Sequence, residues 1–139
     1  IKQPEDLIPV AELDSDKHKI IVVDDIPLSI AKMDKIKSYF SLSRNRQCNT
    51  VYPAQGFFNV NRFIRQNTDC FILFSGLDNI DVQNISEEQC GDKLKDRFSE
   101  LYHDTTDNGR HSFFLFDKLA RDQICMFRCG IDRFLDCEN

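Results

Sequence analysis

The residues most ready to do chemistry are two adjacent acids, Asp24 and Asp25, which follow four apolar residues, Ile20-Ile21-Val22-Val23. A run apolar at every position reads as a parallel strand buried on both faces. Acids at the carboxyl end of such a strand point into the crevice where open α/β sheets bind ligands. Two tasks suit the pair. One carboxylate can give oxygen ligands to a hard cation such as magnesium, and the other can orient or deprotonate an attacking water. A strand that simply ends in a solvated acidic turn carries the same residues, so the pair alone leaves both readings open.

Further polar residues follow at strand and turn positions. Thr50-Val51-Tyr52 reads as a short strand closed by Pro53 and leading to Gln55, whose amide can both donate and accept hydrogen bonds. Residues 59–67 read as a short helix or turn carrying Arg62 and Arg65, and Arg44 and Arg46 sit in an earlier turn. A planar guanidinium suits charge developing on a transferring phosphoryl group, although a surface salt bridge explains an arginine equally well. Arg44 and Arg46 read more simply as part of a solvated turn.

The elements that must position these residues alternate between strand and helix. Ile26, Ile30, Met33, Ile36 and Phe40 recur at helical spacing, which predicts an amphipathic helix over 28–41 with Pro27 just before it. Cys70–Phe74 reads as a second buried strand, with Cys70 in the core. Ser86-Glu87-Glu88-Gln89 has the form of a capping box, continued by Leu94, Phe98 and Leu101 as a helix to about Tyr102. Asp107-Asn108-Gly109 marks a turn, Phe113–Phe116 a strand, and Ile124–Phe127 a candidate hairpin partner across 119–122. Residues 1–18, with Pro4 and Pro9, read as a polar lead-in loop. The expectation is a single α/β domain over 1–139 with a mainly parallel sheet flanked by helices, and a candidate β-hairpin at its C-terminal end.

Composition narrows the classes. A chain of 139 residues, 41% hydrophobic and 29% charged, with 12 Phe and no Trp, can build one ordinary core. The net charge of −5 gives no overall basic footprint for nucleic acid. Six Cys occur without a C-x-x-C pair and with only three His, so a zinc site is not indicated and reduced thiols in an intracellular protein are expected. No signal peptide and no apolar run of about 18 residues is visible, so secretion and a membrane partner are not expected. The first residue is Ile rather than Met, which points to a fragment or trimmed chain.

The ordered set resembles the DNA-packaging ATPases of poxviruses, related large DNA viruses and Maverick/Polinton elements, within the FtsK–HerA superfamily of P-loop NTPases. Its pieces are the acid-ended strand 20–25, the Arg44-Asn45-Arg46 turn, the strand running into Gln55, the pair Phe57-Phe58, the Ile64-Arg65-Gln66-Asn67 turn, and Cys70–Phe74. The match covers about residues 18–76 and extends more weakly to a tail with Arg128 and Phe134. The resemblance implies that Asp24 and Asp25 are the Walker B acids, for magnesium and for the water. It implies that Gln55 is the polar sensor and Arg65 an arginine finger reaching a neighbouring subunit. It further implies ATP and Mg2+ as cofactors, and double-stranded DNA and homo-oligomeric neighbours as partners, in the intact protein. Arg44 and Arg46 depart from the family, which often has an Arg-His pair there.

One departure matters more. A phosphate-binding Walker A loop needs Gly-rich backbone, a Lys and a hydroxyl. The nearest approach, Gly91-Asp92-Lys93-Leu94, lacks the preceding Gly and the following hydroxyl, and Asp92 would repel phosphate. Only about 20 residues precede the acid-ended strand, too few for a phosphate-loop strand and helix. The expectation is therefore a partial P-loop core in which the isolated chain neither binds nor hydrolyses ATP. Either the intact protein supplies the loop upstream, or the chain is a domesticated, non-catalytic remnant that acts as a binding module. A bacterial receiver domain also opens with an apolar strand and an acid pair, but needs a phosphoacceptor Asp where Cys70–Phe74 here runs into Ser75-Gly76. Its lysine would be Lys118, which directly follows Asp117.

Overall fold

A computed structural model describes residues 7–24, 30–92, 94–107, 109, 111–122 and 125–135. The contacts group into two compact units, Ile1–Asn67 and Thr68–Asn139.

In the first unit, β1 (Lys19–Val22) is followed by α1 (Ile30–Leu42), β2 (Cys48–Val51) and α2 (Arg62–Gln66). β1 and β2 pair in parallel, with Lys19 opposite Cys48 and Val22 opposite Val51. A single helix between the two strands is the connection that parallel pairing requires, since the chain must return to its starting end. The α1 chain reverses through a 3-10 turn, Ser43–Arg46, and Gln47 takes the left-handed φ of 50° there, its N–H donating to the Arg44 carbonyl at 3.2 Å. The predicted helix 28–41 thus starts, among the described residues, at Ile30; Ile26, Pro27 and Leu28 lie outside them.

The core of this unit combines Val23, Ile36, Tyr39, Cys48 and Ile64 with Leu7, Val10 and Leu13. The expected polar lead-in therefore carries core residues. Three apolar side chains at three-residue spacing bracket a 3-10 turn, Val10–Glu12, and the buried Tyr39 hydroxyl donates to the Ile8 carbonyl beside it. The expectation that β1 is buried on both faces also fails: Ile21 is half-buried, but Ile20 is 70% exposed. A continuous apolar run predicts two apolar faces; it does not supply the layer that would cover the second.

The second unit runs β3 (Cys70–Phe74), α3 (Asn79–Gln89), α4 (Lys95–Thr106), β4 (Phe113–Asp117), β5 (Phe127–Cys129) and β6 (Arg133–Phe134). These strands form one sheet in the order β3-β4-β5-β6, and every pairing is antiparallel. This corrects the expected mainly parallel sheet: the chain holds a four-stranded antiparallel sheet and a separate two-stranded parallel one. Two helices, not one, lie between β3 and β4, and two crossings return the chain running the other way.

The same miscount explains the helix boundary. Ser86 does not start a helix; it lies in α3, where its hydroxyl donates to the Gln83 carbonyl at 2.7 Å. α3 begins instead at Asp78, whose side chain accepts from the Asp81 N–H at 2.7 Å. β5 sits three residues further on than the expected partner strand, pairing Phe116 with Phe127 and Phe114 with Cys129; Gln123 and Ile124 lie outside the described residues.

One face of this sheet is covered by α4. Phe98 meets Phe114, Phe116 and Phe127 edge-on at ring centroid distances of 5.1, 5.6 and 5.9 Å. Edge-to-face packing puts the positive ring edge against the negative ring face. The other face is open at Ile72, Phe74 and Phe134. Cys70 lies there and is exposed, contrary to its assignment to the core. The five described cysteines are all free thiols. No helix among the described residues is long and apolar enough to cross a membrane.

Candidate functional site

The site is the carboxyl end of the parallel pair β1–β2. The ladder extends one bond beyond β1, where the Val23 N–H donates to the Val51 carbonyl at 2.9 Å. Val23 is fully buried and anchors the strand end, so the chain emerges at Asp24 with its side chain exposed. Because the strands are parallel, β2 also releases its chain at this end, through Tyr52-Pro53-Ala54 to an exposed Gln55. A carboxylate and a neutral amide thus leave the same end of neighbouring strands. Asp25 lies outside the described residues.

Gln55 is followed by a 3-10 turn, Phe57–Asn59, and then by α2, which Asn61 caps by accepting from the Phe63 N–H at 2.9 Å. Arg65 lies on α2 and is only 8% exposed. Its Nη1 donates to the Val60 carbonyl at 2.8 Å, and its guanidinium lies 4.6 Å from the Phe57 ring centroid and 5.3 Å from that of Phe58. The side chain is folded back onto the turn that precedes its own helix. This is a bracing geometry, in which a flat cation satisfies a carbonyl and stacks on aromatic faces. In the sequence the aromatic pair and the arginine are separate features; the signal that joins them is that a short turn and one helical turn bring residues 57 and 65 together.

The other arginines differ. Arg44 is exposed and Arg46 half-buried, both in the Ser43–Arg46 turn, and Arg62 is exposed. Arg128 and Phe134, placed in the tail by the sequence, meet each other in the second unit. The Arg128 guanidinium lies 4.8 Å from the Phe134 ring centroid and bonds Asp117 at 3.1 Å. Lys118 is drawn in beside α3, with Nζ donating to Gln89 Oε1 at 3.0 Å and lying 5.6 Å from the Phe71 ring centroid. Burial lowers its pKa, an effect partly opposed by Asp69, Glu88 and Cys90.

Among the described residues no group of three or more His, Cys, Asp or Glu could hold a metal ion. Asp24 alone therefore fits an ion only where phosphate oxygens and water complete the shell, which is how magnesium is usually held beside nucleotides. Comparison of the chain with protein-family models, with curated proteins and with solved structures returns no match.

Proposed function

We propose that the first unit is the acid-and-sensor part of an ATP-hydrolysing site in a DNA-packaging or translocating motor of the kind the sequence resembles. The observation that carries this reading is the parallel β1–α1–β2 pairing, which releases Asp24 and Gln55 at the same strand ends. Asp24 contributes carboxylate oxygen toward magnesium, Asp25 orients the water, and Gln55 bonds water and terminal phosphate through one amide. Magnesium, when bound with nucleotide, neutralises charge on the phosphates. Arg65 braces the turn after Gln55 rather than reaching a neighbouring nucleotide. The phosphate-holding loop comes from chain outside these 139 residues. Double-stranded DNA is the cargo, neighbouring copies complete the motor, and the setting is intracellular.

A second reading, a non-catalytic binding module, is favoured by the exposed apolar side chains Ile20, Val22 and Val51 on the parallel pair. ATP turnover separates the two. In protein that includes a phosphate loop, Asp25→Asn is expected to lower kcat by roughly 10²–10⁴-fold, the usual worth of a positioned acid or base, and Asp24→Asn to lower turnover by weakening the hold on magnesium. Unchanged turnover in both variants rejects the hydrolytic reading.

A further inference from the structure

We infer that the outer edge of β3 is a self-association surface, on which a second copy of this chain adds its own β3, antiparallel and centred on Ile72. Among the described residues β3 ends the four-stranded sheet, with β4 on its inner side. The Asp69 carbonyl accepts from the Lys118 N–H at 2.9 Å, which fixes the phase of the strand. Backbone groups alternate between the two sides of a strand, so residues 69, 71 and 73 address β4, while Cys70 and Ile72 turn their N–H and C=O groups outward. Phe74 turns its N–H outward, and its carbonyl accepts from the Tyr102 hydroxyl at 2.9 Å. Sheets usually blunt such an edge with a charge, a proline or a bulge. Cys70-Phe71-Ile72-Leu73-Phe74 has none of these, and its register with β4 is unbroken. The outward residues also present exposed side chains on one sheet face, Ile72 at 52% and Phe74 at 61%.

The strand is its own complement, which is why the occupant is a second copy. A two-fold axis at Ile72 sets Ile72 against its counterpart, Cys70 against Phe74, and Asp69 against Ser75. The two Ile72 residues then exchange both N–H···O bonds and each Phe74 N–H donates to the opposite Cys70 carbonyl, small faces large, and the carboxylate faces a hydroxyl donor instead of another acid. The two Asp69 side chains stand ~20 Å apart at ~3.4 Å per residue, too far to repel strongly. Shifting the register by two residues leaves one outward residue of each copy without a partner in the strand. The ring pair Phe74–Phe113, at 5.8 Å, then borders the added strand and gains cover from it. This closed, isologous arrangement consumes the edge and does not propagate.

Light scattering on the eluting protein measures the mass of the 139-residue chain, which is expected to be twice that of one chain at the highest soluble concentration. Ile72→Lys sets like charges across the axis and is expected to return a folded single chain. Phe74→Cys, oxidised with copper phenanthroline, is expected to give a covalent dimer through Cys70 of one copy and the new thiol at position 74 of the other. Adding Cys70→Ser to that variant removes the cross-link. Native Cys70 alone, ~14 Å from its counterpart in this register, does not cross-link. A single-chain mass for the parent overturns the inference. So does a dimer that survives Ile72→Lys with unchanged circular dichroism, or one that Phe74→Cys fails to cross-link. The cross-link decides the matter should Ile72→Lys not fold.

Discussion

Arg65 and Gln55 stand ten residues apart and end in opposite situations. Gln55 is exposed on the chain that follows β2, whereas Arg65 spends its guanidinium on Val60, Phe57 and Phe58. Burial decides chemistry in the same way at Cys90, which is 8% exposed. Loss of solvation pushes its thiol from 9.0 up to about 12, an effect only partly opposed by Lys118. The folded state therefore keeps a proton that the unfolded state gives up between those values. The stabilising effect is complete below pH 9 and lost as pH rises toward 12, at up to about 1.4 kcal/mol per pH unit. Lys118 opposes this, because its lowered pKa lets stability rise with pH in the window below its ordinary value of 10.5. Comparison with a variant isolates the thiol. Urea denaturation from pH 8 to 11 is expected to show a steeper alkaline loss in the parent than in Cys90→Ala. Equal slopes would mean that the thiol is not held protonated by the fold.

At the scale of elements, α3 rests on one cap. Asp78 is extended, with its carboxylate on the Asp81 N–H and a negative charge at the positive end of the helix. Asp78→Ala is expected to cost about 1 kcal/mol of stability, read as a lower urea midpoint with an unchanged denaturant slope. An unchanged midpoint would show that the cap contributes nothing. This helix is also where legibility ended. The strands at 20–23, 70–74 and 113–116 show in the sequence as apolar runs, that at 50–52 as a short stretch closed by Pro53, and α1 as a spacing. Ser86–Gln89, however, imitates a helix start so well that one helix replaced two, and with one crossover the β3–β4 pairing reads as parallel. An apolar run such as Phe113–Phe116 says that a strand is buried; it does not say which way its neighbour runs. At the site, Asp24 and Gln55 were legible because strand ends follow from pattern. The bracing role of Arg65 was not, because it depends on the fold of the turn between Gly56 and Asn61.

At the scale of the whole chain, the two units draw on different side chains for their cores. The first uses Leu7, Val10, Leu13, Val23, Ile36, Tyr39, Cys48 and Ile64. The second centres on Phe98, with Tyr102, Phe114, Phe116 and Phe127 around it, and with Val82 and Ile85 of α3 also buried. Nothing in composition marks the boundary after Asn67, where a polar stretch, Gln66-Asn67-Thr68-Asp69, runs straight into a strand. A core closed within one segment predicts that the segment folds by itself. Residues 68–139, made alone, are expected to unfold cooperatively and to keep a near-ultraviolet signal from the packed aromatic rings. Phe98→Ala removes the ring that three phenylalanines meet edge-on and is expected to cost roughly 3–5 kcal/mol. That is comparable to everything a core of this size supplies, so the variant segment should lose its sigmoidal melt. A parent segment that melts without a transition would show instead that the Phe98 core needs the rest of the chain to close.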